Sequence, residues 1–252
     1  MDESGTARKP SSTPEIILEG SSSDYEQSVV VMFDLIQERD LSARLAPRTM
    51  VYVITSGVAD ESDGLSEVGR NQVVDLARSR VVAGVTMVYS SSAKDTAQTA
   101  KILSKEFGAK TSTRDCLKEV ETGKSRLSTE ELTIILPEMW KDTDYQPEKG
   151  ESLMDARHRL ASCVSEFSAK HSGDSIAIVT HTMLATLFHT LVKGGDPTVE
   201  EWLAMGHASC AAYEYAKGGW TLVMPPDNSF LTEITVVRDI LPPEVVEALT
   251  SD

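Results

Sequence analysis

Cysteine is scarce in this chain, with Cys116, Cys163 and Cys210 the only three among 252 residues. They are odd in number and far apart, which suggests neither a disulfide framework nor a Cys-x-x-Cys metal knuckle, and reduced thiols are expected. No apolar run approaches the roughly 18 residues that a membrane-spanning helix needs. The N-terminus, MDESGTARKPSSTPE, also lacks the basic-then-apolar layout of a signal peptide, so an intracellular protein, cytoplasmic or nuclear, is expected with no membrane partner. Cations are few: 24 Lys and Arg stand against 39 Asp and Glu, a formal charge of −15. That balance disfavours non-specific binding to nucleic acid or anionic lipid, and it makes anionic substrates unwelcome unless the fold conceals a basic pocket. With 40% apolar and 25% charged residues, the length suffices for one sizeable domain with appendages.

Residues 1–24 are rich in Ser, Thr, Pro and Glu and read as a disordered tail, and 25–47 as an extension with helical spacing of Phe33, Ile36 and Leu41. From Met50 a regular alternation begins. MVYVIT (50–55) reads as a strand, and after a Gly/Asp-rich loop Ser66 is placed to N-cap a helix bearing Val68, Val73, Leu76 and Ala77. VTMVYS (85–90) reads as a second strand, followed by a helix with Ala97, Ala100, Ile102, Leu103 and Phe107. AKTST (109–113) is a short strand, Ser152 to Lys170 a long helix, and SIAIVT (175–180) another apolar run followed by a helix through Met183, Leu184, Leu187 and Leu191. AAYEYA and WTLVM form a hairpin across Gly218-Gly219. Such alternation indicates an α/β three-layer sandwich, a mostly parallel central sheet with helices on both faces, over residues 48–224. Residues 225–252 read as an extension carrying one more strand-like run and a short acidic helix.

In open parallel sheets ligands gather beyond the carboxyl ends of the strands. The residues there are Thr55-Ser56-Gly57, Ser90-Ser91-Ser92, Thr180-His181-Thr182 and, after the short third strand, Glu119. Five stretches in order then carry a family pattern: LSEVGRNQ (65–72), YSSSAKDTAQTA (89–100), LKEVETG (117–123), GESLMDARHR (150–159) and VTHT (179–182). Together they resemble the histidine phosphatase superfamily, the phosphoglycerate-mutase-like fold. The resemblance places the family's Arg-His-Gly, with its phosphate-holding Arg and nucleophilic His, on Thr55-Ser56-Gly57. It places a second phosphate-binding Arg on Asp95, the general acid on Glu119 and the second histidine on His181.

The departures have a size. Charge-assisted hydrogen bonds contribute roughly 1.5–3 kcal/mol each, so two missing arginines forfeit about 3–6 kcal/mol of phosphate binding, roughly two to four decades of affinity. Loss of a nucleophile costs on the order of 10⁶ in turnover. What the resemblance then implies is a pseudophosphatase acting as a protein-binding or scaffolding module, without cofactor or metal. It leaves a homodimer open and the protein partner unnamed. The alternative is an active phosphohydrolase or phosphomutase using His181 and Glu119.

Other readings of the same residues carry less. Ser56, His181 and either Asp95 or Glu119 have the composition of a hydrolase triad, though a triad is recognised by geometry. Glu119 and His181 could pair across the emptied cup, or Asp95 and Glu119 could hold a neutral or cationic small molecule. His158 and His171 read as solvated and His189 as packing or surface. His207 and Cys210 have an i, i+3 spacing that zinc could use, but nothing nearby completes a site, and Cys210 reads as the start of a buried strand.

Overall fold

The computed structural model describes residues 47–251 apart from Ser125, so the expected tail and helical extension before Pro47 lie outside the described residues. Six strands form one sheet: β1 (Thr49–Thr55), β2 (Val85–Ser90), β3 (Lys110–Thr113), β4 (Ser175–Thr180), β5 (Cys210–Ala216) and β6 (Gly219–Asp227). Their order is β3-β2-β4-β1-β5-β6, with β1 to β4 mutually parallel and β5 and β6 antiparallel. The helices are α1 (Glu67–Arg78), α2 (Lys94–Phe107), α3 (Thr129–Lys141), α4 (Leu153–Lys170), α5 (Thr182–Lys193), α6 (Val199–Leu203), α7 (Val237–Ile240) and α8 (Pro243–Thr250).

The apolar runs of β1 and β4 are continuous because both faces of these strands are covered. Val51, Val53, Ile176 and Ile178 point into a core shared with Leu160 and Val164 of α4 and Leu184 and Leu187 of α5. The alternate residues Tyr52, Ile54, Ala177 and Val179 point the other way, to Val73 and Leu76 of α1 and Leu103 of α2. This period-2 division makes the three layers. Ser66 caps α1 by accepting from the Gly69 N–H, and Ser152 caps α4 by accepting from that of Asp155. The β5–β6 turn is Lys217-Gly218 with both φ positive, 53° and 78°, the conformation that a two-residue hairpin loop requires.

Several expectations need correction. Cys116 and Cys163 are disulfide-bonded, with Cα atoms 6.2 Å apart: the fold brings the short 3₁₀ turn Asp115–Leu117 against α4 although 47 residues separate the pair in sequence. Cys210 alone is a free thiol. The strand-like run after residue 225 forms no strand; only Val236 makes an isolated bridge, to Gly206. Pro225 and Pro226 lie inside β6 and have no N–H to offer another strand, and the chain beyond packs Leu231, Val237, Val245 and Leu249 into the two cores. The helices α3 and α6 were not read from the sequence. Both carry a Ser/Thr-x-x-Glu start, Ser128 to Glu131 and Thr198 to Glu201, which is the signal for them; Pro137 inside α3 obscures its pattern.

Candidate functional site

Parallel pairing brings three loop starts together. Thr55 stands opposite Thr180 in the β1–β4 ladder, and Ser90 opposite Val179 in the β2–β4 ladder, so Ser56, Ser91 and His181 emerge side by side at one end of the sheet. Asp95, in the first turn of α2, faces them, where a carboxylate also suits the positive end of the helix. The Ser56 hydroxyl donates to Asp95 Oδ2 across 2.7 Å, and the same oxygen is 3.8 Å from His181 Nδ1. His181 Nε2 is 3.0 Å from Ser91 Oγ, which is 2.6 Å from Thr96 Oγ1.

Thr96 Oγ1 also lies 2.9 Å from the Ala93 carbonyl, to which it can donate. Ser91 Oγ also accepts from the Ala93 N–H at 3.1 Å. This is not a hydrolase triad, because Asp95 rather than the histidine receives the Ser56 proton. Ser91, the serine that does touch His181, is wholly buried, beyond the reach of a substrate.

Glu119 and His181 do not pair. The Glu119 carboxylate accepts from Val120 N at 3.0 Å and from Met183 N and Leu184 N at 3.2 Å each. It thereby satisfies orphan donors at the start of α5, where the preceding His181 supplies no side-chain cap. Thr55 is turned away as well: its hydroxyl donates to Gly206 O at 2.7 Å and accepts from Ser209 N at 2.9 Å, tying β1 to the start of β5. Of the five residues singled out, the structure joins Ser56, Asp95 and His181 in one contact network, sets Glu119 at the adjoining helix start and removes Thr55. Among the described residues no lysine or arginine pairs with Asp95 or Glu119.

Sequence reading missed two members of this neighbourhood. Ser91 was legible only as one of three consecutive serines. His207 read as uninformative, yet its ring lies against the Ser56 carbonyl and within the field of Asp95; burial nevertheless holds its imidazole below the ordinary range, and its Nδ1 is buried without a partner. His171 is only 19% exposed in its side chain, not solvated, and pairs with the Tyr89 hydroxyl at 2.9 Å.

The quoted sequence patterns hold the surrounding loops. A Cβ on Gly57 would meet Gly69 O at 2.4 Å, and one on Gly69 would meet Val58 O at 2.1 Å, so the loop after β1 packs backbone to backbone on α1. Gln72 secures the same loop by accepting from Val58 N, and its amide donates to Glu233 O and Thr235 Oγ1. Arg159 forms a fork with Glu151 and donates to Cys116 O and Lys118 O at 2.8 and 3.0 Å, which fixes the segment that carries Glu119. A cleft of 480 Å³ opens beside Glu119, lined by Glu121, Lys124 and Lys149 among others. Among the described residues no group of three or more His, Cys, Asp or Glu could hold a metal ion, and no helix is long and apolar enough to cross a membrane.

Residues 54–228 match the family model of the histidine phosphatase superfamily, branch 1. The chain belongs to that superfamily. A probable phosphoglycerate mutase, GpmB, of Yersinia enterocolitica is 28% identical over 181 residues, covering 68% of this chain and 82% of that protein. Among solved structures, Bacillus stearothermophilus YhfR superposes with a TM-score of 0.63 at 21% identity, over 72% of this chain and 98% of that one. A mycobacterial glucosyl-3-phosphoglycerate phosphatase gives 0.60 at 21%, over 71% and 98%. A phosphoglycerate mutase of Bacillus anthracis gives 0.58 at 18%, over 73% and 96%. At these identities the structural likenesses establish the phosphoglycerate-mutase-like fold. Within this superfamily framework, the sequence patterns of α1 and α4 hold the site loops in place, while the strand-end residues pair with one another.

Proposed function

We propose that this chain is a histidine-phosphatase-fold protein without phosphoryl-transfer turnover, working as a binding or scaffolding module for another protein. The observation that carries the reading is the 2.7 Å hydrogen bond from Ser56 to Asp95. It joins the two positions where the family resemblance expects a nucleophilic histidine and a phosphate-binding arginine. A phosphate dianion entering there would meet a carboxylate: at about 4 Å, two like unit charges repel by roughly 4 kcal/mol at an effective dielectric of 20. Among the described residues no lysine or arginine pairs with that carboxylate to offset its charge.

The same geometry weighs against an active site built on His181 and Glu119. His181 Nε2 is held by Ser91, and both Glu119 oxygens are held by backbone N–H groups. A nucleophile and a general acid must each reach the substrate, whereas these atoms are engaged with the protein itself. The test is hydrolysis of an aryl phosphate by the full chain and by His181→Ala. Background rates for both support the reading; turnover that disappears in the variant overturns it. The protein-binding half is tested by affinity capture with the full chain against a chain lacking residues 1–24. Stoichiometric recovery of a partner that elutes with the purified full chain in size-exclusion chromatography supports it, and a chain that co-elutes with nothing contradicts it.

A further inference from the structure

The Cys116–Cys163 bond stands beside the candidate site. Cys116 lies in the 3₁₀ turn Asp115–Leu117, shortly before Glu119, and Cys163 lies on α4 one turn beyond Arg159. At i and i+4 of one helix, Arg159 and Cys163 face the same way. Helix α4 thus grips the turn twice, through Arg159 on the Cys116 and Lys118 carbonyls and through the disulfide. Glu119 follows directly, its carboxylate accepting from the Met183 and Leu184 N–H groups at the start of α5. Residues 119–124 then form one wall of the 480 Å³ cleft.

Non-covalent contacts also hold the turn. Leu117 is fully buried, and the Thr180 hydroxyl at the end of β4 donates to its carbonyl at 3.0 Å. With the S–S bond open, these contacts and Arg159 still place the turn on α4, but nothing covalent limits its excursions. The surroundings suit reversible opening. Cys116 is half-buried while Cys163 is only 6% exposed, which directs an incoming thiolate to the Cys116 sulfur. Both half-cystines belong to the core on one face of the sheet, whereas the free Cys210 is buried in the core on the other face, so it cannot exchange with the pair.

We propose that this pair is a redox clamp on the segment that carries Glu119. A dithiol opens it. One thiolate attacks Cys116 Sγ, the S–S bond breaks, and Cys163 leaves with the electron pair and takes up a proton. The second thiol of the reductant then displaces Cys116 from the mixed disulfide, giving a cyclic disulfide and two protein thiols, a transfer of two electrons and two protons. Oxidised protein holds residues 115–124 against α4 and α5; reduced protein lets them open locally while the sheet stays closed. The clamp is independent of whether the cup turns over phosphate.

The experiment follows amide hydrogen exchange of the full chain by mass spectrometry, with the pair oxidised, after dithiothreitol, and in Cys163→Ser. Peptides containing Val120, Met183 and Leu184, whose N–H groups Glu119 accepts, should exchange about tenfold faster or more on reduction, with β1 and β4 unchanged. Oxidised dithiothreitol should restore the slow rates. Cys163→Ser should show the fast rates without reductant and no further change with it. Should that variant fail to fold by circular dichroism, the reduced and reoxidised parent chain still decides. Equal rates in oxidised and reduced protein overturn the proposal. So does acceleration throughout the sheet, which would make the bond a staple of the whole fold, or a pair that dithiothreitol reduces only in denaturant.

Discussion

Ser56, just past β1, and Asp95, in the first turn of α2, are joined by a 2.7 Å hydrogen bond across 39 residues of sequence. The pair turns what the family resemblance marks as a cationic, nucleophilic position into a self-satisfied acidic one. Removing one partner leaves the other unsatisfied, whereas removing both does not. In a double-mutant cycle with Ser56→Ala and Asp95→Ala, urea unfolding should show a favourable coupling of about 1–3 kcal/mol. Additive single effects would mean that the bond contributes nothing.

Glu119 acts, in this account, on the start of α5. Replacing Glu119 with Gln keeps one carbonyl acceptor but loses the charge beside the helix N-terminus. It should destabilise the protein by about 0.5–2 kcal/mol in thermal or urea unfolding. An unchanged stability would free Glu119 for a catalytic role.

Acid should weaken the fold early. Burial is the largest cause that holds His207 and His189 below the ordinary value of 6.5. For a histidine with a lowered native pKa the unfolded chain binds more protons, so stability rises with pH across the interval between the two values. The contribution is fully present above about pH 6.5 and is lost as pH falls through the native values. Unfolding free energy measured from pH 8 to pH 5 should fall, and His207→Asn should flatten that slope.

Thiol chemistry separates the three cysteines. Burial pushes the Cys210 thiol up to about 12, so the folded protein at pH 8 should resist alkylation there. Under denaturing conditions without reductant one thiol should react, and after reduction all three, because Cys116 and Cys163 are paired. Three reactive thiols before reduction would restore the expectation from sequence.

The sheet was legible because its central strands are runs of β-branched residues and its helix starts are Ser66 and Ser152. The position of the site was legible too, since parallel strands end together. Side-chain direction was not. Nothing in the order of residues says that Thr55 turns to Gly206, that Glu119 serves the α5 backbone, or that Ser91 rather than Ser90 meets His181. Those choices depend on pleat phase and on loop packing across many residues. The Cys116–Cys163 pairing and the approach of His207 to Ser56 are likewise long-range contacts, which spacing in sequence does not encode.

The central claim, a cup that no longer accepts phosphate, is tested most directly by thermal unfolding of the full chain with orthovanadate, inorganic phosphate and phosphoglycerate. The account predicts an unchanged melting temperature at millimolar concentrations of each. A saturable rise, approaching the stabilisation of about 2.7 kcal/mol that a ligand gives at about 100 times its Kd, would contradict it.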